Sequence, residues 1–439
     1  MPKKKKKKKK SWQERERERQ IKQQSAQKAY QIQREREAKR KPRHWPKGKI
    51  LVAVSLIVLI LGVYAVWQYT IKPFTIIYIR ADGSVGPSTA SISNVENSYY
   101  TFTADIYGSI VIERNNIVVD GANCTLQGKG ESSSKGIDLS GRSNVTITNI
   151  GLKDFDYGVY LYKASHNVLS QNDLINHNSG IGFESSSNNT VSGNSIANNQ
   201  CGISLTSSSG NIIHKNSITS NQYSVSLAHS SGNIISENDI TYSDGAIGLS
   251  YSPNNKITEN NVANNQYGIS ITYQSSSNSI SGNSITNSNG AILLASSNSN
   301  SVSGNQIDYN QESIKLDYSS GNNISGNSIA NTDAAITLYY SSNNTITENY
   351  ARSNQYCIIL TSSSSNSIFH NSFVASTYYP VYTKDSLNSW DNGYPSGGNY
   401  WSDYEELYPD SFVREGSDIW AIPYFIDATN QDNYPLVSR

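Results

Sequence analysis

Apolar residues recur along most of the chain in short alternating runs, and the runs keep a fixed register. A G-I-x-L-like unit places an apolar side chain at Ile137, Val159, Ile181, Ile203, Val225, Ile247, Ile269, Ile292, Ile314, Ile336, Ile358 and Val381, twelve positions spaced by 22 residues with single-residue slips before Ile292 and Val381. Asparagine follows the same clock. One series runs through Asn172, Asn194, Asn216, Asn238, Asn260, Asn283, Asn305, Asn327, Asn349 and Asn371, and a second, five residues earlier, through Asn167, Asn189, Asn211, Asn233, Asn255, Asn278, Asn300, Asn322, Asn344 and Asn366. Each unit, as in NTVSGNSIANNQCGISLTSSSG, holds three short β-branched alternations (Val191, Ile196, Ile203/Leu205) separated by Asn, Gly and Ser, which predicts three strands with turns between them and opposes a helix.

A coil of this size cannot bury its own Ile and Leu. It must stack on its neighbours at ~4.8 Å per coil, so the repeat predicts a right-handed parallel β-helix of three sheets forming a rod roughly 50–60 Å long. The fixed register excludes a disordered Ser/Asn-rich tract. The asparagines read as structural: Asn tolerates the left-handed backbone of a corner, and stacked side-chain amides can bond from coil to coil. The repeats occupy 110–385. Before them, 72–109 reads as a linker and N-terminal cap, with Ile110, Ile112, Ile117, Val119 and Leu126 opening an irregular first coil. After them, 386–439, crowded with Trp, Tyr, Gly and Pro, reads as a C-terminal cap over the last coil's strand edges.

Charge divides the chain differently. Residues 1–49 carry 21 Lys and Arg against 5 Asp and Glu, a formal +16, whereas from Lys72 onward 15 face 30, a formal −15. Between them Ile50 to Ile71 holds no charge over 22 residues, enough to cross a bilayer, with Trp67 and Tyr69 at an interface, Lys72 able to snorkel and Pro73 ending the helix. The positive side fixes orientation: a cytoplasmic tail, one membrane helix, and an extracellular β-helix. The competing reading is a signal peptide cleaved near Val63, Tyr64 and Ala65. The tail, an eight-lysine run followed by alternating Glu and Arg as far as Pro42, predicts a solvated charged helix that sets topology or attracts anionic lipid. The acidic ectodomain excludes nucleic acid as its partner. Cys124, Cys201 and Cys357 form neither a disulfide framework nor a CxxC metal site.

The N-x-I-x-x-N and G-I-x-L repeats resemble those of the NosD-like proteins within the pectin-lyase-like fold. The flanks IYIRADGSV, YTFTADIYGSIVIERNNIVVDG and WDNGYPSGGNYWSDY are similar to those of archaeal cell-surface members; the likeness covers Thr75 to Leu436. It implies the fold, and it raises copper-site maturation, a calcium site or polysaccharide chemistry as functions. The residues add little support for copper: Met1 is the only methionine, and His166, His177, His214, His229 and His370 fall at different repeat positions.

Chemistry on the rod is sparse. The position before each ladder Asn gives Lys215, Glu237 and Glu259 on successive coils, a cation and two carboxylates suited to a lyase or glycoside hydrolase. Asp308, Glu312, Lys315 and Asp317 form a second charged group. Tyr251, Tyr273, Tyr318 and Tyr340 share one repeat position and make two adjacent pairs, a spacing suited to stacking on sugar rings or to corner packing. Sequons at Asn123, Asn144, Asn188, Asn323 and Asn343 are compatible with glycosylation outside the cell. With no metal-ligand ladder and few reactive groups, the leading expectation is a surface rod, without cofactor, that binds glycans or other envelope polymers. A polysaccharide lyase or hydrolase and a metal-delivery factor are the alternatives.

Overall fold

A computed structural model describes residues 73–438. The charged tail and the Ile50 to Ile71 span lie outside the described residues; among the described residues no helix is long and apolar enough to cross a membrane.

The chain winds as a right-handed parallel β-helix of about 13 turns. In a representative coil Ile212–His214 and Ser217–Thr219 form two short strands and Tyr223–Ala228 a long one. The next coil repeats them as Ile234–Ser236, Asp239–Thr241 and Gly245–Ser250, paired in parallel with Ile213 on Ile235, Ile218 on Ile240, Val225 on Ile247 and Leu227 on Leu249. Three faces result, here called the first short, second short and long faces. Like stacks on like. Ile213, Ile218, Val225 and Leu227 are at most 1% exposed, as are their counterparts along the rod, and each such side chain is worth roughly 1.5–3 kcal/mol of burial.

Both slips fall in turns, where an extra residue disturbs no ladder. The first lies between Thr272 and Ser275, since Ser250 pairs with Thr272 whereas the N–H of Ser252 reaches Ser275. The second lies between Val374 and Thr377.

Segment 72–109 already joins the rod: Thr75–Ile79 pairs in parallel with Ile106–Ile112, and Tyr99–Phe102 stacks under Ile117–Asp120. At the far end Trp401 pairs on Phe373, and Trp390, Trp401, Tyr404 and Tyr424 are buried over the last coil. The cysteines Cys124, Cys201 and Cys357 are all free.

Candidate functional site

The coils close at four hydrogen-bonded corners, and these determine what each face can display. At the first two, the asparagine series form ladders. The Asn216 Oδ1 accepts from the backbone N–H of Asn194 at 3.0 Å and from its Nδ2 at 2.9 Å, while the Asn216 Nδ2 donates to the Val191 carbonyl and to the Asn238 Oδ1. The expectation that the asparagines themselves take the left-handed conformation is corrected. The left-handed residue is the one before each ladder asparagine, for example Lys215 (φ 54°), Glu237 (φ 53°) and Glu259 (φ 57°). It points to solvent while the asparagine points in, so its identity is nearly free.

Two further rows went unrecognised in the sequence. The third corner, leading into the long face, runs through His177, Asn199, Asn221, Ser243, Asn265, Ser288, Asn310, Thr332 and Asn354. The fourth, leaving the long face, is serine: Ser208, Ser230 and Ser252 each accept the N–H of the serine one coil earlier. His177 is therefore no surface histidine. Its Nδ1 accepts from the Phe155 N–H at 3.2 Å and its Nε2 lies 3.1 Å from the Leu152 carbonyl, the two bonds a ladder asparagine makes. Burial pushes its pKa from 6.5 down to about 4, against the pull of the Leu152 and Phe155 backbone contacts. An imidazole that stays neutral in the fold contributes fully above pH 6.5 and loses that contribution as pH falls towards 4, which is about 2 kcal/mol lost by pH 5. His177→Asn should keep the ladder and flatten this loss, read as a smaller drop in urea midpoint between pH 8 and pH 5 than the natural chain shows.

The Lys215, Glu237 and Glu259 row sits on the second corner, between the two short faces. Lys215 Nζ is 3.5 Å from Glu237 Oε2, and their side chains are 62% and 47% exposed. An exposed pair of this kind is worth less than about 1 kcal/mol. Backbone conformation matters more there than charge: Gly282 takes the position of Glu259 in the next coil. Glu259→Gly should raise the urea midpoint, by a stabilisation of about 1 kcal/mol.

The long face differs from the short ones. The notion that it is nearly bare is corrected at its N-terminal end, where neighbouring coils bring Lys135, Asp138, Tyr157, Tyr160 and Glu184 together. Lys135 Nζ lies 2.8 Å from Asp138 and 3.9 Å above the Tyr160 ring, and the Tyr160 hydroxyl donates to Glu184 at 2.7 Å. Burial, then the Glu184 hydrogen bond, raises the Tyr160 pKa. For Asp138 burial acts upward, but Lys135 and Ser140 hold the carboxyl below its usual range. These side chains satisfy one another and leave no free base. The 22-residue register would have grouped them. Glu312 and Lys315 pair at 3.0 Å further along, and the register sets Asp317 on the same strand, with Asp308 on the second short face.

Between these charged ends the outward residues are small. Ser226, Gly248 and Ser270 lie in one row, with Tyr223, Gly245 and Tyr267 beside them. Tyr223 and Tyr267 wall a groove of about 300 Å³ floored by Gly245, Gly248, Ser226 and Ser270, with Asp244 and Gln266 at its rim.

The fourth corner borders this floor. Tyr251, Tyr273, Tyr318 and Tyr340 all occupy its left-handed position, with φ between 47° and 51°. The Tyr251 and Tyr273 rings stack at 5.6 Å and 15°, Tyr318 and Tyr340 at 4.8 Å and 8°, and His229 extends the first pair at 5.0 Å and 4°. The four tyrosines are 45–61% exposed.

Copper chemistry was tested against the donor set. Among the described residues no three His, Cys, Asp or Glu side chains converge as ligands. Both His177 ring nitrogens serve backbone groups, and burial pushes the Cys201 and Cys357 thiols up to about 12 and 11. Thiols held protonated and an engaged imidazole do not suit a soft metal ion. The described residues do not fit a copper site.

This architecture defines a parallel β-helix of the pectin-lyase-like type, with a polar long face between two closely bonded corners. The sequence model of the family described as periplasmic copper-binding protein (NosD) matches residues 93–291 and 235–406. The chain belongs to the NosD family. Among solved structures it is similar to the Dettilon tailspike protein (17% identity, TM-score 0.41, 56% of this chain and 62% of the tailspike). It is also similar to the A-module of a mannuronan C-5 epimerase from Azotobacter vinelandii (13%, TM-score 0.40, 72% and 89%), and to an exopolygalacturonase from Thermotoga maritima (10%, TM-score 0.41, 63% and 82%). The chain thus spans under two thirds of the tailspike's length. Comparison with curated proteins returned no match.

Proposed function

We propose that the protein is a non-catalytic glycan-binding rod of the cell envelope, held at the membrane by Ile50 to Ile71, with the long face and its fourth corner as the contact surface. The observation that carries this reading is the pair of tyrosine stacks. A bulky side chain in the left-handed region costs of order 1–3 kcal/mol, and at this corner Ser207, Ser296 and Ser362 take the same conformation in other coils. The tyrosines accept that strain and still leave about half of each ring in water. Flat exposed rings set in a row above a small-residue floor are the chemistry that packs against sugar rings. The acid-base alternative has less support, because Lys215, Glu237 and Glu259 are away from the long-face groove and the Tyr160 cluster is internally paired.

The anchor reading rests on the uncharged run and its basic flank. Treatment of membranes with alkaline carbonate should leave the chain in the pellet, and protease added outside intact cells should remove the rod; release into the supernatant would contradict it. All five sequons, Asn123, Asn144, Asn188, Asn323 and Asn343, are exposed, as glycosylation of an external rod needs.

Binding is tested by pull-down on insoluble envelope polysaccharides. The full chain should be retained. The double variant Tyr251→Ala/Tyr273→Ala should lose at least about tenfold in affinity, two stacking contacts being worth roughly 0.5–1.5 kcal/mol each beyond their area, while its urea midpoint stays level or rises. Retention unchanged by the double variant would count against the corner as the contact.

A further inference from the structure

The groove between Tyr223 and Tyr267 differs from the tyrosine corner in its chemistry. The residue entering the long strand is Gln200, Gln222, Asp244, Gln266, Asn289 and Gln311 in six successive coils, all exposed. Five of the six are amides. Beside this row the outward floor of the five coils from Cys201–Thr206 to Gly290–Ala295 carries no Lys, Arg, Asp or Glu. The hollow itself exists because Gly248 has no side chain: a Cβ built there meets nothing within 4 Å, although Leu293 occupies the same row two coils on.

An amide offers both a donor and an acceptor and suits a hydroxyl, which needs both. A carboxylate or sulfate calls for Arg or Lys, ideally a fork, and Asp244 at the rim repels it. We infer that this groove is a subsite for an uncharged, hydroxyl-rich sugar ring, held between the faces of Tyr223 and Tyr267 and hydrogen-bonded by Gln222 and Gln266, within a glycan running along the rod. The inference deepens the glycan-binding reading and rests on it.

The test is titration calorimetry on the full-length chain with cellohexaose, mannohexaose and, as the charged counterpart, hexagalacturonate. At least one neutral hexamer should bind, and hexagalacturonate should bind at least about tenfold more weakly. Gly248→Leu, which copies Leu293 into open space, should lower affinity for the neutral hexamer about tenfold or more with an unchanged melting temperature, and Gln222→Ala/Gln266→Ala should do so through the lost hydrogen bonds. Hexagalacturonate binding as tightly as the neutral hexamers, or Gly248→Leu leaving neutral binding intact, would overturn the subsite. If binding survives Gly248→Leu but falls in Tyr251→Ala/Tyr273→Ala, the glycan reading stands without it. If no hexamer binds and no polysaccharide retains the chain, both fall.

Discussion

Asn260→Ala should destabilise the rod by about 3–5 kcal/mol, far more than its single truncated side chain suggests. Asn260 is 1% exposed. Its Oδ1 accepts from the backbone N–H of Asn238 at 3.0 Å and from the Asn238 Nδ2 at 2.9 Å. Its Nδ2 donates to the carbonyls of Ile235 and Thr258 and to the Asn283 Oδ1. Alanine would leave a buried N–H and a buried carbonyl without partners in a space closed on both sides by the neighbouring coils, at roughly 1–3 kcal/mol for each orphaned group. Glu259, one residue away and facing water, is the internal control: its replacement by glycine should move the urea midpoint the other way. Equal, small effects at the two positions would mean that the ladder contributes little.

Trp401→Ala should produce the second large loss, also about 3–5 kcal/mol, with self-association as a visible consequence. The Trp401 ring stacks on Tyr424 at 4.1 Å and 3° and touches Phe373, the apolar residue of the last second-short strand. Its Nε1 donates at 2.9 Å to Asp432. The same Asp432 carboxylate accepts the N–H of Asn399, whose side chain is the last rung above Asn371. Trp401 thus joins the aromatic cap to the end of an asparagine ladder. Burial pushes the Asp432 carboxyl up to about 7 despite these donors. A carboxyl raised in the fold favours the folded state most at low pH, and that contribution declines as pH rises from about 4 to 7. Opening the cap exposes unpaired strand edges, so size-exclusion chromatography should show oligomers of Trp401→Ala at concentrations where the natural chain is monodisperse. A variant that keeps its melting temperature would show the cap to be dispensable.

Much of this architecture is legible without coordinates, because a solenoid converts sequence period directly into space. Ile213, Ile235 and Ile257 are 22 residues apart and therefore neighbours. The first two asparagine ladders are readable for the same reason. The third is not. His177, Ser243, Ser288 and Thr332 replace asparagine there, since any side chain with an acceptor near the preceding N–H satisfies the corner. The earliest coils are disguised too, with Val145 and Ile150 where later coils have asparagine: they supply the N–H groups at which the ladders start. The left-handed residue was misassigned because the position beside the asparagine accepts Lys, Glu, Gly, Tyr or Ser alike.

The site was legible only in part. Tyr251, Tyr273, Tyr318 and Tyr340 share a register and stack as their spacing implies, but His229 joins them only through ring geometry. Lys135, Asp138, Tyr160 and Glu184 lie in adjacent coils, yet their mutual bonding, which occupies the Tyr160 hydroxyl, depends on side-chain direction. The hollow at Gly248 is an absent side chain between two present ones, and nothing in a single repeat marks it. The Gln200 to Gln311 row was hidden among the many polar residues of the turns.

The most direct measurement is hydroxyl-radical footprinting of the full chain with and without the polysaccharide that retains it. Protection should concentrate on Tyr251, Tyr273, Tyr318 and Tyr340 at the corner and on Tyr223 and Tyr267 on the long face, while Tyr99 and Tyr394, exposed towards the two ends of the rod, stay reactive. Protection confined to the short faces around Lys215, Glu237 and Glu259, or no change at the tyrosines under saturating polysaccharide, would contradict the long face as the binding surface.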